Sequence, residues 1–368
     1  MNVKEASQRS AAWLQERGIS GARLDAELLL AHVLGCERIH LFVAPDRPLS
    51  DEERDRYREL IRRRGEHEPV AYLVGSAGFW DIDVKVDGRA LIPRPETEKI
   101  IELALAAAGP SRDQALRIVD VGCGSGVLAI TLAKAFPHAQ VVALDISQDA
   151  LDLTAENATL NGVRDRVHPV RSDLLGALIQ KGSRADLIVS NPPYIGERER
   201  SLMSPGVERY EPTLALFAGD DGFDVIDRLL PQIPQVLANG GLFLMEFGSP
   251  QGASIRDRAG RRFRSWRVEK DWSGHDRVLV VDGPGDRLWA SAPAMVDAAA
   301  GAAPLGADGS SESAGLAPGA SESGVQTPEG FAQSFQDTHS FNVNGRYGGA
   351  DGTELLPEID LHEDLEDV

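Results

Sequence analysis

V-D-V-G-C-G-S-G, residues 119–126, joins two apolar runs of different period. The run before it, 117–121, reads as a strand, and the run after it, over 126–136, reads as a helix. Between them lie glycines 122, 124 and 126, spaced G-x-G-x-G. Glycine there lets the backbone take positive φ and approach a ligand closely. A dinucleotide fingerprint would need a glycine at 127, where the chain has Val127, and a Walker loop would need G-K-[S/T]. The loop therefore suits a ligand other than a pyrophosphate.

Outward from this turn the chain alternates strand and helix. Strands are expected over 117–121, 140–144, 167–171, 186–190, 242–247 and 278–281. Helices are expected over 126–136, 148–160 and 221–237, the last broken by Pro231 and Pro234, which cannot donate within it. Apolar strands alternating with helices predict an α/β fold, a Rossmann-like parallel sheet covered on both faces. Residues 1–76 read as a small helical bundle. One helix over 23–34 stops at Gly35, and another opens at Ser50 with a capping box to Glu53 and ends at Gly65. Residues 77–92 read as a β-hairpin linker. Ile82, Val84 and Val86 form one strand, Asp87-Gly88 the turn, and 90–92 the return. L-I-P-R-P-E-T-E, residues 91–98, then opens a helix through Ala108. The α/β domain spans 93–285.

Asp145 ends the second strand of the sheet, nineteen residues after Gly126. A carboxylate at that strand tip is placed to accept both hydroxyls of a ribose. With Gly122, Cys123, Gly124, Ser125 and Gly126 it describes a nucleoside site without a phosphate chain, for which S-adenosylmethionine is the expected ligand. Asp120 either orders the loop or meets a cation. Asp173 and Leu174, after the third strand, face the same crevice. There Asp173 suits an adenine amino group or a helix cap, and Leu174 an apolar contact to the ring. Cys123 reads as a small packed residue, not a nucleophile.

The fourth strand ends in N-P-P-Y, residues 191–194. Two prolines stop it, since neither donates a ladder hydrogen bond. An amide or aromatic amine nitrogen is a poor nucleophile because its lone pair is delocalised. Two fixed acceptors, the Asn191 side-chain oxygen and the Pro192 carbonyl, would grip its N–H groups and stabilise developing positive charge. Pro193 stiffens that geometry, and Tyr194 offers a flat face for a planar group.

The formal charge of −19 is uneven. Residues 286–368 hold fifteen acids against two arginines, a net of −13, which leaves −6 for residues 1–285. The body lacks the overall basic balance of a tight duplex binder, so no direct nucleic-acid binding is expected. The tail, rich in Ala, Gly, Ser, Pro and acids, is expected to be disordered. Cys36 and Cys123 make neither a disulfide framework nor a metal cluster, and no metal is expected. No signal peptide or membrane-length apolar stretch is read, which points to a cytoplasmic protein.

The glycine loop with N-P-P-Y resembles the class I S-adenosylmethionine-dependent N-methyltransferases. The motif occurs in both adenine-N6 and glutamine-N5 enzymes. P-V-A-Y-L-V-G at 69–75, G-F-W at 78–80, the 91–98 stretch, R-L-D-A-E-L-L-L-A-H-V-L-G at 23–35, E-P-T-L-A-L-F at 211–217 and G-H-D-R at 274–277 are similar to the peptide chain release factor glutamine methyltransferases. That resemblance covers about residues 5–283. It implies methylation of the glutamine in the Gly-Gly-Gln motif of class 1 release factors, docked by the helical bundle; a monomer is expected. It also implies that Gly122–Gly126, Asp145, Leu174 and Asn191 bind the methyl donor, and that Asn191, Pro192, Pro193 and Tyr194 hold the glutamine. Phe79, Trp80, Arg94, Pro95, Glu96 and Thr97 would line its pocket. The alternative, an adenine-N6 methyltransferase on DNA or RNA, would need a recognition domain and a basic groove. The 195–220 insert is short for that.

Overall fold

The computed structural model describes residues 1–285. The acidic tail lies outside the described residues. Among the described residues nine strands, β1–β9, make two sheets. β1 (Ser76–Phe79) and β2 (Ile82–Lys85) form a separate antiparallel pair. The other seven are β3 (Arg117–Val121), β4 (Gln140–Asp145), β5 (Val167–Arg171), β6 (Ala185–Ser190), β7 (Leu237–Glu246), β8 (Trp266–Lys270) and β9 (Asp276–Asp282). They lie in the order β5-β4-β3-β6-β7-β9-β8. β3 to β7 run parallel, and β9 and β8 add an antiparallel edge. The parallel core matches the expected strands, whereas β8 is not among them, since its W-R-V-E-K carries charge on both sides of a single valine and is only half covered.

The sheet is buried on both faces, and β6 is buried at all six residues. Five helices of the N-terminal region, α1–α5, precede it: Val3–Glu16, Ala22–Leu34, His40–Val43, Asp51–Gly65 and Val70–Val74. Then come α6 (Glu98–Ala108), α7 (Val127–Ala135) and α8 (Gln148–Leu160). α6, α7 and α8 cover one face of the sheet, where Ile100, Ile101, Ile130 and Leu132 are fully buried against Ile118 and Val141. Helices Asp224–Leu229 and Gly252–Gly260 cover the other, with Ile226, Phe243 and Phe247 at its centre. The expected 221–237 helix is indeed broken. A 3₁₀ turn at Leu230–Gln232 and a short helix at Ile233–Val236 each begin around a proline.

The bundle has its own core of Leu14, Leu29, Leu30, Tyr57 and Ile61. Gly35 caps α2 at φ 62°, and Ser50 with Glu53 closes the capping box of α4. Gly65 is the last residue of α4. A Cβ there would fall 2.4 Å from the Trp13 ring of α1, so the glycine allows the two helices to close.

The hairpin register differs from the sequence reading. β2 pairs backward with β1, Phe79 opposite Ile82, and the turn is Trp80-Asp81. Trp80 sits at φ 53°, with its N–H donated to Glu98 Oε1 at 2.8 Å. Asp87-Gly88 makes no hairpin. Arg89 binds the Asp87 carboxylate through its backbone and guanidinium, and residues 90–92 run on as a loop. Nor does the hairpin stand apart from the domain. Asn157 of α8 exchanges two hydrogen bonds with the Lys85 backbone, and Val84 is fully buried in the core beside α8.

Candidate active site

Strand order sets the site. The chain leaves β3 toward β4 and β5, then returns to β6 on the other side, so the connections that follow β3 and β6 part in opposite directions at the carboxyl ends, where an open α/β sheet binds ligands. Val121 pairs with Leu144 on one side and Ser190 on the other. Gly122, Asp145 and Asn191 therefore leave three adjacent strands side by side. Asp145 pairs with Arg171, which carries Ser172 and Asp173 to the same edge.

The glycine loop is held by its own backbone and by α8. Gly122 and Cys123 both donate to the Leu144 carbonyl, at 2.8 and 2.9 Å. Thr154 donates to the Gly124 carbonyl, and Asn157 to that of Ser125. Gly126 sits at φ 85°, and a Cβ there would meet Thr154 Cγ2 at 2.9 Å. Asp145 accepts the Gly124 N–H at 3.0 Å and the Ser147 N–H at 2.9 Å, leaving further lone pairs on both oxygens. Asp120 accepts the Ala129 N–H through Oδ2, while its buried Oδ1 has no partner among the described residues. Burial pushes the Asp120 carboxyl up to about 7. The Cys123 thiol is likewise pushed well up by burial, away from nucleophilic use.

Asp120, Gly122, Cys123, Gly124, Ser125 and Asp145 line a cleft of about 340 Å³, with Leu174 and Asn191 farther along its walls, while Gly126 lies behind it against Thr154. An orphaned carboxylate oxygen and a second carboxylate at the strand tips suit a ligand that carries positive charge and a pair of hydroxyls. S-adenosylmethionine, with its sulfonium, ammonium and ribose, has both. Leu174 is held at φ 50°. Asp173 does not cap the following helix through its carboxylate, which pairs with Arg228 at the cleft rim, while Ser172 Oγ accepts from Ala177.

At the other end of the cleft, Asn191 Nδ2 lies 3.0 Å from Thr97 Oγ1, and Thr97 donates to Glu246 Oε2 at 2.6 Å. Tyr194 donates to Glu246 Oε1 at 3.2 Å, and its carbonyl accepts from Gln251. Arg94 forms an ion pair with Glu211 at 2.6 Å, and the Ile92 N–H bonds the same carboxylate. The Arg94 segment also walls a larger cleft of about 720 Å³ between bundle and sheet domain, which Phe79 lines as well. Trp80, 42% exposed, and Glu96 are not on the walls of either cleft.

The PrmC N-terminal domain family matches residues 5–75, and the methyltransferase small domain family matches residues 104–204. The release factor glutamine methyltransferase of Chlorobaculum tepidum is 41% identical over 283 residues, covering 76% of this chain and 96% of that protein. The one from Koribacter versatilis is 42% identical over 283 residues, covering 76% and 98%. This chain belongs to the release factor glutamine methyltransferases. Among solved structures, the T. thermophilus 16S rRNA N2 G1207 methyltransferase aligns over 56% of this chain and 49% of its own at 19% identity, with a TM-score of 0.42.

As a member of that family the chain is an S-adenosylmethionine-dependent methyltransferase. One group beside its N-P-P-Y tip was missed in the sequence, Glu246. Its signal was present: one acid inside L-F-L-M-E-F, a run otherwise apolar, must be partnered if the strand is buried. Arg228 carried no such signal, because its partner Asp173 lies 55 residues away across the sheet edge.

Proposed function

We propose that this methyltransferase transfers the methyl group of S-adenosylmethionine to the side-chain nitrogen of the glutamine in the Gly-Gly-Gln motif of class 1 release factors. The observation that supports the reading is the side-by-side exit of Gly122 and Asn191 from paired strands, which brings residues 191–194 beside the glycine loop. In this reading Gly122 to Gly126, Asp120, Asp145, Asp173 and Leu174 hold the donor, which supplies an electrophilic methyl group. Asn191 Oδ1 and the Pro192 carbonyl accept the two N–H groups of the glutamine. That turns the nitrogen lone pair toward the methyl carbon and stabilises positive charge as the N–C bond forms and the C–S bond breaks. One amide proton then leaves to solvent. Tyr194, Arg94 and Thr97 shape the acceptor pocket, and Phe79 lines the wider cleft through which a protein loop enters. Residues 1–76 dock the release factor, and the enzyme acts as a cytoplasmic monomer without contacting nucleic acid.

The test uses labelled S-adenosylmethionine with a release factor carrying Gly-Gly-Gln or Gly-Gly-Ala. Label on the first and none on the second is expected. Equal labelling of both, or label on adenine oligonucleotides instead, would overturn the reading.

A further inference from the structure

Glu246 sits at the end of β7, where Met245 pairs with Ser190, so its side chain lies beside the Asn191 exit. It is 1% exposed, a charged group inside the sheet. Such a position is costly unless the group is fully hydrogen-bonded. Its two oxygens each accept a hydroxyl, Oε2 from Thr97 and Oε1 from Tyr194. Both hydroxyls belong to segments that wall the acceptor pocket, and one of them also touches Asn191.

Counting protons along this chain fixes the direction of the Asn191 amide. An ionised carboxylate only accepts, so the single Thr97 hydroxyl proton goes to Glu246. Thr97 Oγ then has only lone pairs to offer Asn191, and the atom 3.0 Å away must be the NH₂ group. A flipped carboxamide would set oxygen against oxygen with no proton between them. With the NH₂ group committed to Thr97, Asn191 Oδ1 occupies the opposite side of the carboxamide. We infer that Glu246 and Thr97 are positioning residues that lock the Asn191 carboxamide with its oxygen toward the acceptor nitrogen. This rests on the glutamine reading above and adds to it a role for Glu246 and Thr97 that is exerted through the Asn191 carboxamide.

The relay has a direction that ionisation controls. If Glu246 took up a proton and donated it to Thr97, the Thr97 hydroxyl would turn to Asn191 and favour the flipped amide. Turnover therefore falls toward acid as this carboxyl protonates. The groups that set where this happens are Arg277 and Glu96, which face Glu246, the Tyr194 hydroxyl on it, Arg94 beyond Tyr194, and Asp271, which pairs with Arg277. Burial pushes the carboxyl up, against the pull of Arg277 and the Thr97 hydroxyl, so the acid limb lies above that of an exposed glutamate.

The experiment compares the full chain with Thr97→Val, Thr97→Ser and Glu246→Gln. Valine keeps the shape of threonine and removes the relay atom. Serine keeps the atom. Glutamine leaves one acceptor oxygen for two hydroxyls. Thr97→Val is expected to lower kcat about 10–100-fold, the range for one orphaned hydrogen bond. The donor Kd by calorimetry and the release factor KM should stay within about threefold. Thr97→Ser should restore most of the rate, and Glu246→Gln should lower kcat about tenfold and flatten the acid limb. In ¹⁵N spectra the Asn191 carboxamide signals should move in the valine variant and not in the serine one. A valine variant within twofold of the parent overturns the inference. So does a serine variant as impaired as valine, or a loss in donor affinity that matches the loss in kcat. If the valine variant does not fold, Glu246→Gln and the parent's Asn191 signals decide. Those signals need no substrate. A parent that fails to label Gly-Gly-Gln would sink the substrate reading and leave the relay still testable.

Discussion

Replacing Glu211 with leucine would leave a guanidinium in the wall between the two clefts with no counter-charge. The Arg94 side chain is 14% exposed and that of Glu211 is 1% exposed, with 2.6 Å between them. Removing one partner of a buried pair costs about 3–5 kcal/mol, because the survivor keeps its desolvation penalty. The Ile92 N–H, which bonds the other oxygen at 3.3 Å, adds about 1 kcal/mol as an orphan. At roughly 0.6 kcal/mol per degree of unfolding entropy for a chain of this size, about 5 kcal/mol lowers Tm by about 8 °C. Adding Arg94→Met removes the stranded charge and leaves only the orphan amide, so the double variant should sit about 2 °C below the parent. Turnover should stay low in both, since neither tethers the 91–98 loop to residue 211. Scanning calorimetry and labelled-methyl transfer read the two effects separately. A single variant within about 2 °C of the parent would refute the reasoning. So would a double variant no more stable than the single, because the cost would then lie in packing rather than in an uncompensated charge.

Asn191→Ala should lower kcat about 10²–10³-fold, the scale for losing one preorganised polar contact, with donor affinity by calorimetry near the parent's. Gly126→Ala forces a side chain to φ 85° with its Cβ 2.9 Å from Thr154 Cγ2. It should cost about 1–2 kcal/mol in urea unfolding and weaken donor binding at least about tenfold as the loop shifts. Asp120, at about 7 when folded against about 3.9 unfolded, keeps a proton that the unfolded chain has released. Its contribution to stability is whole below pH ~4, declines as pH rises through ~7 and then levels, and Asp120→Asn should remove that slope from urea midpoints taken across pH. Parallel pH curves for parent and variant would count against the buried orphan.

What the sequence revealed follows from how far each signal travels along the chain. The glycine loop, Asp145 and N-P-P-Y are local patterns at strand tips, and the parallel strands are apolar enough to read singly. Pairing is not local. S-A-G-F, with three small residues and a single large apolar one, carries little strand signal, so Asp87-Gly88 offers the stronger turn pattern. In the folded chain the Asp87 carboxylate is taken up by Arg89, while Tyr72 holds the Ala90 carbonyl, and 86–92 is drawn across as a loop. The turn at Trp80 is held by Glu98 from α6, eighteen residues on. A partner at that distance leaves no mark on the dipeptide itself. Neither Thr97 nor Glu246 shows in sequence that they meet, 149 residues apart.

In the proposed reading the same long-range bond gives a reason for an acceptor tip at a strand end rather than on a free loop. A delocalised amide lone pair is useful only in one orientation, so the oxygen that receives its N–H must hold a direction as well as a position. A loop asparagine has its amide turned by whichever neighbour is nearest. Here β6 is hydrogen-bonded on both sides, to β3 and β7, and each neighbour contributes. Val121 of β3 accepts the Ser190 hydroxyl at 2.8 Å and fixes the backbone one residue before Asn191. Glu246 of β7, through Thr97, fixes the side chain. A slip of one residue in the β6–β7 register would turn Glu246 to the other face of the sheet and leave Thr97 free to donate either way. Sheet register, a backbone property, would thus set which atom of the Asn191 amide faces the acceptor in the proposed reading.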